Sequence, residues 1–195
     1  MTGAHSDIRR LLVAPLLVVP LLAGGGAAQA QSANEKRAAV DHMLDALKAA
    51  PDPRTASLLE DKVIQAWLQA GTPAVTLLMS RGLRSLHAGQ DDDAVESFTD
   101  AIILAPDVAE AWHQRAIARY HGGDTAGAIH DLEETVKREP RDFAAFHTLA
   151  DIAAAREDWK AAYAAWQKVM ELDPQTPGGE ERLGVLKRKA VGEDT

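Results

Sequence analysis

Three prolines set the frame for this chain: Pro106, Pro140 and Pro174 lie 34 residues apart, twice over. Other positions keep the same step. Twelve residues before each proline stand Ala94, Ala128 and Ala162, and eight before stand Phe98, Leu132 and Trp166. Twenty-eight before are Leu78, Trp112 and Phe146, and twenty-four before are Gly82, Ala116 and Ala150. Positions held in phase over three units mark a structural repeat, so the chain must fold as stacked copies of one supersecondary unit.

Each unit reads as two amphipathic helices joined by a turn. The small residues let the two helices approach closely, and the bulky ones fill the space on either side of that contact. The proline ends the second helix, because it has no N–H and clashes with the preceding turn. Turn signals fall at Ala88-Gly89-Gln90-Asp91, Gly122-Gly123-Asp124 and Arg156-Glu157-Asp158, each with an Asp placed to cap or charge-stabilise the next helix.

These units resemble tetratricopeptide repeats, the 34-residue helix–turn–helix family with a W-x2-L-G-x2-Y…A-x3-F…P pattern. Ala111-Trp112-His113-Gln114-Arg115-Ala116 through Arg138-Glu139-Pro140 carries the resemblance furthest. It implies an all-α fold, a right-handed superhelix (α-solenoid) with repeats at 75–108, 109–142 and 143–176. Two departures matter. The family's leucine position holds Arg81 and Arg115, and a half-buried arginine needs an acid, for which Asp131 is the candidate. The family's tyrosine position holds Ser85, Arg119 and Ala153, which predicts looser packing there.

Upstream, 31–74 reads as a degenerate helix pair capping the array on its first repeat. One apolar stripe is Val40, Met43, Leu44 and Leu47; the other is Leu59, Val63, Ala66, Trp67 and Ala70, with Trp67 as the anchor. Asp52-Pro53 and Thr72-Pro73 read as N-caps followed by proline at the first helical position. Downstream, 177–195 holds a solvating capping helix, Glu180 to Ala190, whose Leu183 and Leu186 would face the third repeat.

Residues 1–30 differ in composition from the rest. Arg9-Arg10, the apolar run Leu11 to Leu22 and the small-residue site Ala28-Gln29-Ala30 have the anatomy of a cleavable signal peptide, with cleavage expected after Ala30. The run is short for a bilayer span and is interrupted by Pro15 and Pro20. The expected product is exported, periplasmic or secreted, with no membrane span after cleavage.

No catalytic constellation stands out, and no enzyme activity, cofactor or metal is expected. The chain has no cysteine, which removes thiol catalysis and disulfides. The run Asp91-Asp92-Asp93 lacks the later glycine and glutamate of a calcium loop. With 29 acids against 21 bases and a net charge of −8, the surface is wrong for nucleic acid. Histidines at 42, 87, 113, 121, 130 and 147 read as partly exposed polar residues.

In the family, the first helices of successive repeats line a partner-binding groove. The equivalent residues here are Met79, Leu83 and Leu86, then His113, Gln114, Ile117 and Tyr120, then His147, Thr148 and Asp151. One subclass grips a C-terminal carboxylate with lysine and asparagine. Met79, His113 and His147 hold the lysine positions here, so an apolar or mixed peptide segment is the expected ligand. The leading expectation is a protein-interaction scaffold or adaptor in the cell envelope. Its rivals are a self-associating structural protein and a histidine-based metal-binding protein.

Overall fold

The computed structural model describes residues 24–192. Among the described residues are nine helices and no strand: α1 (Gly24–Lys48), α2 (Pro53–Leu68), α3 (Pro73–His87), α4 (Asp91–Leu104), α5 (Ala109–His121), α6 (Thr125–Arg138), α7 (Phe143–Ala155), α8 (Trp159–Leu172) and α9 (Gly179–Val191). The expected signal peptide lies outside the described residues as far as residue 23, and residues 24–30 are the first turns of α1. The chain divides into two units after Arg37. In the described part of the first, helical from Gly24, Gln31 Nε2 donates to Glu35 Oε1 at 3.3 Å. The second unit, from Ala38, holds the array.

Within that unit α3 packs on α4, α5 on α6 and α7 on α8, with α4 against α5, α6 against α7 and α9 against α8. This is an α-solenoid of three helix pairs. Local chemistry sets the helix ends. Asp52, Thr72, Asp124, Asp142 and Asp158 each accept a backbone N–H from the first turn of the helix that follows. α4 is started differently: its cap residue Gln90 makes no side-chain bond, and Asp91, Asp92 and Asp93 oppose the positive end of the helix dipole. The turns inside the pairs need a left-handed residue, which is Gly89 (φ 70°) and Gly123 (φ 87°) in the first two and Glu157 (φ 59°) in the third.

The contact between paired helices is made by the small residues. Gly82 is buried, and Ala94, Ala116, Ala128, Ala150 and Ala162 have no exposed surface. A Cβ placed on Gly82 would stand 2.5 Å from Phe98 Cε1. Phe98, Leu132 and Trp166, one per pair, are buried beside these contacts. Trp112 sits farther out: its Nε1 donates to the Pro106 carbonyl at 3.0 Å, and the Arg138 guanidinium lies 4.3 Å over its ring.

The arginines at the leucine and tyrosine positions share one acid. Arg115 forks onto Asp131, Nε to Oδ2 and Nη2 to Oδ1, both at 2.8 Å, as the sequence predicts. Arg119 Nη1 reaches Asp131 Oδ2 at 2.9 Å, and Asp131 is fully buried. The tyrosine position of the second pair is therefore filled by an ion pair and is not loose. At the far end Leu186 is buried and Leu183 packs beside it, and Trp166 Nε1 donates to the Gly179 carbonyl at 2.9 Å.

The N-terminal helices depart from expectation. Leu44, Leu47, Ala56, Val63 and Trp67 form one cluster with Phe143 of α7, and Leu172 of α8 packs against it. The Trp67 and Phe143 rings are 5.7 Å apart, and α2 lies against α5. Arg141 adds a bond to Asp45 at 2.6 Å and a contact with Asp41 at 3.7 Å. Only Leu68 and Ala70 join the core of the first pair. Trp67 thus anchors on the third pair rather than the first. The apolar stripe of α3 is already spent on α4 and α5, whereas Phe143 and Ala144 leave α7 an apolar surface to cover.

Two substitutions test this packing. Gly82→Ala forces Phe98 to move and should destabilise by about 1–3 kcal/mol. Asp131→Asn leaves buried Arg115 without its anion and should destabilise by about 3–5 kcal/mol. Urea unfolding followed by circular dichroism reads both.

Candidate functional site

α5 has two working faces. Arg115, Ala116 and Arg119 point toward the paired helix α6, while Trp112, through the Pro106 carbonyl, and Arg115, through Thr99, also reach the end of the preceding pair. Glu110, His113, Gln114 and Ile117 follow at i, i+3, i+4 and i+7 on another face. α7 repeats the spacing with Ala144, His147, Thr148 and Asp151. α2 packs against α5, and on the second of these faces Glu110 (3% exposed) and His113 (4%) are buried although both are polar.

Between α2, α5, α7 and the end of α8 a cavity of about 430 Å³ remains. Ile117, Phe143, Ala144 and Val169 give it apolar walls. Glu60, His113, His147, Thr148 and Asp173 give it polar ones. Thr148 Oγ1 meets His113 Nε2 at 3.1 Å and donates to the Ala144 carbonyl at 3.0 Å. His147 lies edge-on to Trp166 with centroids 4.9 Å apart, and its Nδ1 is 3.0 Å from Asp151 Oδ2. Arg182 donates to the other oxygen of Asp151.

The carboxyl groups respond to these surroundings. Burial, together with the neighbouring Asp173 carboxyl, raises Glu60 to about 7. Burial likewise pushes Asp142 up, with the charge of His113 opposing. Asp151 is held below the usual carboxylate range: burial works against this, but the bonds from His147 and Arg182 outweigh it. For His113 burial works downward, and the nearby carboxylates of Glu110 and Asp142 more than reverse it, raising the imidazole to about 8.

Four of the ten groove residues expected from the sequence, His113, Ile117, His147 and Thr148, line this one cavity. Gln114 is buried behind them, bonded to Glu110 Oε1 at 2.7 Å. Asp151 is exposed at the edge, and Tyr120 packs on the cluster joining the second and third pairs. Met79 is corrected: it is 1% exposed in the core of the first pair, and Leu83 and Leu86 pack against that core. Val75, Met79 and Gly82 share one side of α3, and that side is the helix–helix contact. His113 is also corrected, from a partly exposed residue to a buried one.

Glu60, Asp142 and Asp173 were not among the expected residues. Asp142 carried a signal, since an Asp preceding Phe143 reads as an N-cap beside the turn. Glu60 and Asp173 carried none, because only the tertiary seating of α2 brings them together.

No family model matches the chain. A TPR repeat-containing protein of Rhizobium etli is 25% identical over 167 residues, covering 86% of this chain and 82% of that protein. Tetratricopeptide repeat protein 36 of Homo sapiens is 40% identical over 78 residues, 40% of each chain, so that match spans less than half of the relative. Among solved structures, the first TPR of Spaghetti (RPAP3) bound to the HSP90 peptide SRMEEVD superposes with a TM-score of 0.58 at 18% identity, covering 62% of this chain and 96% of that one. MamA superposes with a TM-score of 0.55 at 19% identity, covering 82% and 84%. The helix pairs α3–α4, α5–α6 and α7–α8, their in-phase small residues and these likenesses together make the fold that of a tetratricopeptide-repeat solenoid.

Proposed function

We propose that this chain is a non-enzymatic interaction scaffold that binds a short peptide segment of a partner protein at the face formed by α5 and α7. The observation that carries this reading is the cavity itself. Its apolar floor and its facing carboxyls, Glu60 and Asp173, suit an apolar residue next to a cationic one. Solved structures of the same fold include a complex with an HSP90 peptide and the pHsp70 complex of the TPR2B domain of yeast Sti1, which supports a peptide or protein ligand. The Glu60 and Asp173 carboxyls on one side of the cavity disfavour a carboxylate-rich tail such as that HSP90 peptide carries. The partner of this chain is a segment of the opposite character.

The same proposal places the protein outside the cytoplasm, in the periplasm of a bacterial envelope, on the strength of Arg9-Arg10, the apolar run and Ala28-Gln29-Ala30. Among the described residues no helix is long and apolar enough to cross a membrane. Repeat boundaries at 75–108, 109–142 and 143–176, a leader at 1–30, an N-terminal segment at 31–74 and a tail at 177–195 complete the organisation proposed here.

Co-purification from an envelope extract with in-situ cross-linking tests the scaffold. A partner held by the wild type should be lost at least tenfold by Ile117→Asp, and equal capture by both proteins would refute the site. Intact mass of the expressed protein tests export: a chain beginning at Gln31 is the expected result. Glu60 supplies a pH test. A carboxyl raised from 4.5 to about 7 in the folded chain binds its proton more tightly there. Its contribution to stability is therefore fully present below pH 4.5 and is lost as pH rises through 7. Thermal melts across that range should show the decline in the wild type and a flatter profile in Glu60→Gln.

A further inference from the structure

We propose that Glu110, His113 and Asp142 form a binding site for one divalent transition-metal ion of the zinc type, revising the expectation that no metal binds. One donor atom from each residue lies within 4.8 Å of the others, and all three side chains are buried. His113 Nδ1 is 3.6 Å from Glu110 Oε2. An ion bound at about 2.0–2.2 Å from imidazole nitrogen and carboxylate oxygen sets its ligands roughly 3–4 Å apart, so the cluster needs only a slight contraction.

The polar accounting points to a cation. His113 Nδ1 and Asp142 Oδ2 have no hydrogen-bond partner, although their residues are 4% and 1% exposed. The other polar atom of each ligand is held in place. Gln114 Nε2 donates to Glu110 Oε1 at 2.7 Å, and Ala145 N–H donates to Asp142 Oδ1 at 2.8 Å. Thr148 Oγ1 gives its proton to the Ala144 carbonyl, which leaves it to accept from His113 Nε2–H. With Nε2–H engaged in this way, Nδ1 is the ring nitrogen left facing the Glu110 carboxylate, and an ion bound there would take the place of its proton. An outer bond on every ligand is the usual arrangement around a bound metal, because it orients the donor atoms and fixes the imidazole tautomer.

The charge balance agrees. Among the described residues neither Glu110 nor Asp142 is paired with a lysine or arginine, and His113 is the only basic side chain in contact. Two buried carboxylates without a cation are far costlier than two bound to one. One imidazole and two carboxylates favour zinc-type ions over magnesium or calcium, which prefer oxygen alone. His113 also lines the 430 Å³ cavity, which supplies an entry path and room for a further ligand. A bound ion would tie α5 to the start of α7, across the junction of the second and third pairs.

The test uses the full chain after chelator treatment, melted with ZnCl2 or MgCl2. At zinc a hundredfold above Kd the Tm should rise by about 5 °C or more, with no response to magnesium. Glu110→Gln and Asp142→Asn should abolish the rise; the asparagine keeps the cap of α7. His147→Gln, at the half-exposed His147–Asp151 pair, should leave it intact. Absence of a zinc response in the wild type, its survival in both carboxylate variants or its loss in His147→Gln would overturn the site. Should a variant fail to fold, a Co2+ titration of the wild type decides. One visible-absorbing ion per chain, displaced by zinc, supports the proposal; none, or several, refutes it.

Discussion

Everything in the array depends on how closely two helices can approach. At the contacts of the three pairs the chain carries glycine or alanine on both sides, with no exposed surface at any of the alanines. At Gly82 even one added methyl group would collide with the Phe98 ring. That proximity sets the position of the large residue beside each contact, and so the place at which the next pair can stack. The 34-residue period is the sequence record of this constraint, since a unit with a different spacing would present the wrong face to its neighbour.

Polar groups inside the array follow from the same packing. Arg115 and Arg119 occupy positions where bulk is needed, and they supply it only because Asp131 takes both guanidinium groups. Trp112 spans the junction differently, with its nitrogen on the Pro106 carbonyl and the Arg138 guanidinium over its ring. The proline that ends one repeat is thereby tied to the first helix of the next and to the last turn of its second helix.

Most of the fold was legible in the sequence, and the reason is locality. The helix pairs, the caps at Asp52 and Thr72, the Arg115–Asp131 bond and the seating of Leu186 all arise from residues near in sequence or one period apart. Less of the site could be read. Ile117, His147 and Thr148, which helical spacing places on the first-helix face, lie together at one cavity. That spacing could not tell that Met79 is spent on the contact with the neighbouring helices, because one stripe serves both purposes on paper. Nor could it foresee the burial of His113, or Glu60 beside Asp173, since both depend on where α2 docks. That docking joins Trp67 to Phe143 and Asp45 to Arg141, pairs separated by more than seventy residues with no period to relate them.

The seating of α2 against α5 has a consequence for recognition. A ligand that needs the whole of that face competes with a segment tethered to the same molecule, present at the high effective concentration a short connection provides. Its apparent affinity is the intrinsic affinity multiplied by the fraction of molecules in which α2 has left. Trp67 packs on Phe143 from outside the cavity, and the strength of that contact would set the fraction.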